Sequence, residues 1–384
     1  MTLKEELEIL RGEPIQVFSG DPMDIPCIET SDSEKLCKHP VVSVNMITYN
    51  HEPYIRQAIE GVMMQETDFE FELVIGEDCS TDKTREICFE YQKKCPDKIR
   101  VLWWHENLYR NPHPAGGNGA RNRAHCRGEF IALCEGDDYW TDPKKLQKQV
   151  DVMRKHPNVG MCFASGEWHY ANEGRSVVWP GHSHYRPGII PGAVFFERVC
   201  LGMNKRVGAG PEGFPLTASI MIRKRVLEQA RREYDIFRWR LSLGDKMLHL
   251  GMSSLSDVFY HAEAMATYRI ASTGAMGTNG ARVLNDSNKI KLYFALKCNS
   301  ILQRPFPLSL INGVMHVKSE GLTRTHRAQI RAIINRWLMD GVITFAGARQ
   351  YDKLRWFVFL RTGMMWQFYI TSNPVVRKLI SIVR

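Results

Sequence analysis

One stretch constrains the fold more than any other: Phe130 to Asp142, FIALCEGDDYWTD. The apolar run from Phe130 to Cys134 reads as a buried strand, and it runs straight into Glu135, Asp137 and Asp138. In open α/β sheets ligands sit at the carboxyl ends of strands, so these carboxylates stand where a site belongs. Three carboxylates this close repel one another and are costly to bury unless a divalent cation or hydrogen-bond donors hold them. A solvated acidic turn is the plainer alternative. Tyr139 and Trp140 are too large for one, and Thr141, Asp142 and Pro143 supply a cap followed by proline at a helix start. The expectation is a site for a metal ion and a diphosphate.

The text on either side places that strand in a repeating frame. Val41 to Ile47 is β-rich and opens into Thr48-Tyr49-Asn50-His51-Glu52-Pro53, after which Ile55, Ile59, Val62 and Met63 mark one face of a helix. Phe71 to Ile75 repeats the pattern, with Glu77 and Asp78 at its end and Ser80, Thr81 and Asp82 capping a helix to about Lys94. Ile99 to Trp103 is a third strand, followed by a Gly/Asn/Pro-rich loop and a short helix from about Gly119 to Cys126. Strands alternating with helices at this spacing call for a mainly parallel, doubly wound α/β sheet. A helix over 143–155, a strand over 159–164, a strand over 216–223 with a helix after it, a helix opening at Leu243-Gly244-Asp245, and two strands near 254–260 and 264–270 complete the domain. Residues 166–216 read as an irregular insertion whose His182 and His184 are ordinary solvated histidines or a metal pair.

The chain has 384 residues, enough for one large domain and a smaller appended one. Its expected organisation is an N-terminal extension over 1–40, a catalytic domain over 41–277 and a basic helical region over 278–384. The start, MTLKEELEILRGEP, is charged and lacks an apolar core, so a signal peptide is not expected and a cytoplasmic location is. Ten cysteines without a Cys-x-x-Cys pair suggest reduced structural thiols. The net charge of +9 is uneven: residues 281–384 hold 17 Lys/Arg against 4 Asp/Glu, so the first 280 residues are net acidic. His326 to Leu338 carries an amphipathic stripe, and Arg361 interrupts the aromatic stretch that follows, which argues against a membrane span. Peripheral contact with the inner face of a membrane is one expectation for this region, and packing of Trp337, Trp356 and Trp366 as core is the other.

Six short motifs then occur in order: ITYNHEPYI (47–55), EDCSTDKT (77–84), GARN (119–122), EGDDYW (135–140), GD (244–245) and YR (268–269). Together they resemble the inverting family 2 glycosyltransferases of the GT-A fold over roughly residues 41–270, with Glu135 where the Asp-x-Asp motif more usually begins. The resemblance implies a Rossmann-like nucleotide-diphospho-sugar transferase, a nucleotide-sugar donor, usually UDP-linked, and a glycan or lipid-linked glycan acceptor. It implies Mn2+ or Mg2+ held by Asp137, with Glu135 or Asp138 completing the shell or holding the ribose. Thr48, Tyr49, Glu52, Glu77 and Asp78 would frame base and ribose, and Arg121 would stack on or hydrogen-bond the nucleotide. Asp245 would be the catalytic base, since inversion by single displacement needs one group to take the acceptor's hydroxyl proton. Ala271 departs from the pattern by standing where many relatives carry His, and His261 is a poor substitute. A role in bacterial surface polysaccharide synthesis follows from the resemblance alone.

Other classes fit less well. An inactive GT-A domain serving as a glycan-binding or scaffold module would be expected to lose Asp245 or the acidic cluster, and both are present. A dinucleotide-binding fold needs Gly-x-Gly-x-x-Gly after its first strand, and Gly117-Asn118-Gly119 comes too late with Asn122 in the last position. Nucleic-acid binding would use the basic tail and leave the acidic loop unexplained.

Overall fold

The structure, a computed structural model, describes residues 15–170, 173–179, 185–201, 215–241 and 244–270, with Glu5, Glu8, Ile290 and Phe294. In chain order the elements are Ile28–Thr30 (β1), Val42–Thr48 (β2), Ile55–Met63 (α1), Phe71–Glu77 (β3), Thr84–Lys94 (α2), Ile99–Trp103 (β4), Asn118–Ala124 (α3), Phe130–Leu133 (β5) and Tyr139–Trp140 (β6). Lys145–Lys155 (α4), Val159–Tyr170 (β7), Arg175–Trp179 (β8), Gly188–Ile190 (β9), Gly192–Leu201 (α5), Met221–Arg223 (β10), Lys224–Glu233 (α6), Gly244–Leu255 (α7) and Asp257–Ile270 (β11) follow.

The strands form one mixed sheet in the order β1-β4-β3-β2-β5-β10-β7-β11-β6, with β8 on β7 and β9 on β11. Strands β4, β3, β2 and β5 are mutually parallel, as the alternation of strands and helices requires. Strand β10 runs antiparallel between β5 and β7, and β11 lies parallel to β7. Successive residues of one strand feed opposite faces. Ile131 and Leu133 join a cluster with α5, α6 and α7, while Phe130, Ala132 and Cys134 join one with α1, α2 and α4. Burial on both faces takes in polar residues of β2 and β3 as well, so each has an internal partner: Ser43 donates to Glu72 at 2.6 Å and Asn45 accepts from Asn122 at 3.0 Å.

Three expectations need revision and one is narrowed. Residues 15–40 pack on the domain, because β1 pairs with β4 and Glu29 receives both Arg100 Nε and Nη2 at 2.8 Å. The same guanidinium reaches the fully buried Glu72, which also accepts from Arg127 Nε, so an ion network fastens that edge. The two strands expected near 254–260 and 264–270 are one strand, β11, whose register against β7 shifts at His261, Ala264 and Ala266. The stretch 166–216 is partly regular and supplies the end of β7, then β8, β9 and α5. Of the run 216–223, only Met221–Arg223 is strand, after a 3-10 turn at Thr217–Ser219.

His182, His184, Ala271 and nearly all of 278–384, including Trp337, Trp356 and Trp366, lie outside the described residues. Ile290 and Phe294 are described and fully buried; Phe294 packs edge-on against Tyr234 with ring centroids 5.1 Å apart. The chain beyond position 277 therefore contributes to the same core. No described helix is long and apolar enough to cross a membrane.

Candidate active site

The loops that follow β2, β3 and β5 meet at the carboxyl edge of the parallel strands, and backbone chemistry fixes each. Asn50 takes φ 54°, a left-handed conformation that asparagine tolerates better than most residues. That turn aims its side chain at the β3 loop, where Asn50 Oδ1 accepts from the Thr81 amide at 2.8 Å and Ser80 Oγ accepts from the Asn50 amide at 3.0 Å. The Glu52 amide donates to Asp82 at 3.0 Å, and the Lys83 amide donates to Glu52 at 3.1 Å. Glu52 is thus occupied at the start of α2. Tyr49 stays partly exposed beside this seam, with the Arg110 guanidinium 5.8 Å from its ring centroid.

The carboxylates after β3 turn inward. Glu77 is fully buried and accepts from Arg85 Nε at 2.5 Å and from the Ser80 amide at 2.6 Å. Asp78 accepts from the amides of Leu108 and Tyr109 at 2.8 and 3.1 Å, which pins the loop after β4. Burial raises the Asp78 pKa, and those two amides hold it back. Arg121 is fully buried as well. Its guanidinium donates to the carbonyls of Pro26, Glu77 and Leu102 and to Asn118 Oδ1. The expectation that Arg121 stacks on a nucleotide is therefore corrected, because the guanidinium lies beneath the β3 loop and shapes it from behind. Glu77 likewise supports the loop and does not line the cleft.

The β5 loop is different. Glu135, Asp137 and Asp138 each offer a carboxylate oxygen, and the three oxygens lie within 4.8 Å of one another. The loop passes so close to β2 that a Cβ on Gly136 would stand 2.6 Å from Thr48 Oγ1 and 2.9 Å from His51 Nδ1. Only glycine fits there. Trp140 anchors the far side, buried with its indole N–H donating to the Ala218 carbonyl at 2.7 Å. Asp138 is fully buried and accepts from the Arg269 amide at 3.0 Å through Oδ1, while its Oδ2 has no hydrogen-bond partner among the described residues. Burial, then the charges of Asp137 and Glu135, push the Asp138 pKa well above the usual carboxylate range. Burial, followed by the charges of Asp137 and Asp245, pushes Glu135 up to about 8.

A cluster with a buried oxygen lacking a donor fits a divalent cation well. All-carboxylate ligation suits Mg2+ or Mn2+, which prefer hard oxygen donors. Asp245 stands in the first turn of α7, accepts from the Lys246 amide at 2.7 Å, and is near enough to Glu135 for its charge to be felt. The structure therefore brings Glu135, Asp137, Asp138 and Asp245 together, with Thr48 beneath them.

Two further residues belong to this edge and were given no role from the sequence. His51 Nδ1 lies 3.2 Å from Thr48 Oγ1, and its Nε2 lies 3.8 Å from Asp137 Oδ2. Arg269 donates to the Asp137 carbonyl at 2.6 Å and to Gln57, and its guanidinium sits 4.5 and 5.0 Å from the ring centroids of Tyr139 and Tyr54. Its neighbour Tyr268 is half-buried near the four carboxylates, and burial followed by their charges raises its phenol pKa. Both His51 and Arg269 stand inside the motifs quoted above, which was the signal available. His261 packs against Phe259 and feels Glu263, Lys145, Lys148 and Asp142, so it belongs to another part of β11.

The family profile described as Glycosyl transferase family 2 matches residues 43–230. Residues 43–230 form a family 2 glycosyltransferase domain. Among similar proteins, an uncharacterized protein of Mycobacterium tuberculosis is 42% identical over 122 residues, 32% of this chain and 34% of that one. The poly(ribitol-phosphate) beta-N-acetylglucosaminyltransferase TarS of Staphylococcus aureus is 34% identical over 129 residues, 32% of this chain and 21% of TarS. The matched segment thus spans about a third or less of these relatives' own length. The crystal structure of S. aureus TarS residues 1–349 in complex with UDP-GlcNAc superposes with a TM-score of 0.52 at 17% identity, covering 85% of this chain and 93% of that one. This likeness shows that the chain shares its fold with TarS.

Proposed function

We propose that this family 2 glycosyltransferase moves a sugar from a nucleoside diphosphate donor, UDP-linked by preference, to a hydroxyl of a glycan or lipid-linked glycan, with inversion at the anomeric carbon. The observation that carries this reading is the convergence of Glu135, Asp137 and Asp138 with Asp245 across one edge of the sheet. Asp137 and Asp138, with Glu135, would hold Mg2+ or Mn2+. When bound, such an ion supplies Lewis-acid neutralisation of the charge that develops on a departing diphosphate.

The chain's own groups account for the rest. Thr48 and Tyr49, at the loop after β2, would receive the base and ribose. Glu52, Glu77, Asp78 and Arg121 act by keeping the loops after β2 and β3 in shape, Asp78 through the Leu108 and Tyr109 amides. Asp245, in the first turn of α7, takes the proton from the attacking acceptor hydroxyl; an unhindered carboxylate oxygen within hydrogen-bond reach is what that step needs. Arg269 holds the acidic loop at two points, the Asp137 carbonyl and, through its own amide, the Asp138 carboxylate, and His51 stands 3.8 Å from the Asp137 carboxylate. Relatives such as TarS, named for poly(ribitol-phosphate), support a surface polysaccharide acceptor.

The test is a thermal-shift screen against UDP-, GDP-, TDP- and CDP-sugars with and without Mn2+. A ligand that binds only the folded state raises Tm by mass action. A rise with one nucleotide class, dependent on Mn2+, is the expected result, and a folded protein that responds to none of them would remove the reading.

A further inference from the structure

A second site lies away from the acidic loop. A cavity of about 200 Å3 opens between α3, α6 and the turn at Asp21–Met23, over a floor that includes Ile131 and Leu227. Its charged lining is Arg123, Lys224 and Arg231 with Asp21 and Glu228. Lys224, Leu227, Glu228 and Arg231 recur at the three- and four-residue spacing that puts side chains on one helix face, so α6 presents a row to the single arginine from α3. The space is smaller than the roughly 300–1,000 Å3 of sites for drug-sized ligands, yet several times the ~30 Å3 share of one water. One small polyatomic ion fits it.

The two arginines set this cavity apart from the rest of the molecule. Elsewhere among the described residues the buried guanidiniums have acceptors: Arg100 has Glu29 and Glu72, Arg121 has three carbonyls for its terminal nitrogens, and Arg223 has Glu129 and the Met153 carbonyl. Among the described residues, the side chains of Arg123 and Arg231 make neither a hydrogen bond nor a salt bridge, and Arg123 feels Arg231 as a like charge while Arg231 feels Arg238. Burial, followed by the charge of Arg231, pushes Arg123 down to about 10. Burial also lowers Arg231, with Arg238 adding to the effect and Asp21 and Glu228 opposing it. Lys224 donates to the Cys126 carbonyl at 2.8 Å and keeps further donors for the cavity. Planar forks are the groups that suit the oxygens of phosphate. Three cations against two carboxylates suit one phosphate group and not a run of them.

We propose that this cavity binds a single phosphate group, gripped by Arg123 and Arg231 with Lys224 adding charge, independently of the donor cleft. The phosphate can come from a free phosphate or phosphomonoester, or from a lipid headgroup. The experiment compares Tm of the full chain in chloride and in inorganic phosphate at matched ionic strength, for wild type, Arg123→Met and Arg231→Gln. Phosphate is kept below about 5 mM so that general salt exclusion contributes little. At 100 times Kd the wild type gains about 3–5 °C, and each variant gains less than a third of that. In chloride, Arg123→Met melts at or above wild type, because a half-buried charge without a side-chain partner has been removed from beside another cation. UDP with Mn2+ shifts wild type and variants equally, which keeps this site separate from the acidic loop. Glycerol phosphate reproducing the shift assigns a free ester. Co-sedimentation with phosphatidic acid vesicles, lost in the variants, assigns a headgroup. Equal phosphate shifts in wild type and Arg231→Gln, or in any Arg123→Met that folds, would overturn the proposal.

Discussion

Two acidic loops at neighbouring strand ends look alike as text and behave oppositely as structure. EDCS after β3 and CEGDD after β5 both put carboxylates at the carboxyl edge of the sheet. After β3, Glu77 and Asp78 accept from Arg85, Ser80, Leu108 and Tyr109, and their charge is used up inside the protein. After β5, the carboxylates face one another, one buried oxygen has no donor, and Glu135 is pushed up to about 8. The first loop has its charge matched by donors within the protein, and the second leaves charge unmatched. Acidity at a strand end does not by itself mark a ligand site, and the lack of matching donors after β5 is what supports the proposed cation site there.

The largest expected effect tests the β5 side. Asp245→Asn keeps the acceptor oxygen that receives the Lys246 amide and loses the base. Transfer should fall by about 100- to 10,000-fold, with Mn2+-dependent donor binding nearly unchanged in calorimetry. Transfer at the wild-type rate would remove Asp245 from its role.

The next tests the β3 side. Glu77→Ala leaves the Arg85 guanidinium and the Ser80 amide without their partner, and breaking a buried pair typically costs about 3–5 kcal/mol. Chemical denaturation should show a loss near the lower end, since Arg85 is partly exposed. Wild-type stability for this variant would mean that the two loops are not the opposites described here. A milder cut falls on β5: Asp138→Asn keeps an oxygen for the Arg269 amide and replaces the free oxygen by a donor. Donor affinity in Mn2+ should weaken at least about tenfold, while affinity without metal stays the same; equal loss in both conditions would point to misfolding of the loop.

What the sequence made legible and what it hid follow the same division. The strands β2, β3, β4 and β5 could be read because each is a short β-rich run, wholly apolar only in β5, that opens into polar loop text, and the carboxylates near their ends were visible as residue types. Their partners were not, since pairing is decided across tens of residues: Arg121 looked like a nucleotide contact and proved to hold carbonyls of Pro26, Glu77 and Leu102. Arg269 closes the acidic loop from the far end of the domain, a contact over 132 positions that no local pattern carries. Strand β11 was split in two because Ala262, Glu263 and Ala264 are exposed in its middle, where only the shifted register against β7 keeps the strand continuous. Strand β1 is three residues long and depends on Arg100 for its place.

The smallest effect is the most discriminating one, because it has opposite signs in the two loops. A carboxyl whose folded pKa is raised binds more protons folded than unfolded, so its presence lowers stability as pH rises from the unfolded value toward the folded one. For Glu135 that window runs from its ordinary 4.5 to about 8. In metal-free buffer, wild-type stability should therefore decline across this range, and Glu135→Gln should flatten the decline, since Gln is neutral at every pH. The gain at pH 7.5 should be about 1 kcal/mol, well under the full shift because the side chain is partly exposed and water screens it. Adding Mn2+ should reverse the order, for the ion then rewards the charged carboxylate and leaves the glutamine variant behind. Removing a carboxylate from the β3 loop, at Glu77, should destabilise with or without the ion. If Glu135→Gln also destabilises in metal-free buffer, the β5 carboxylates are matched by donors after all and the contrast between the loops fails.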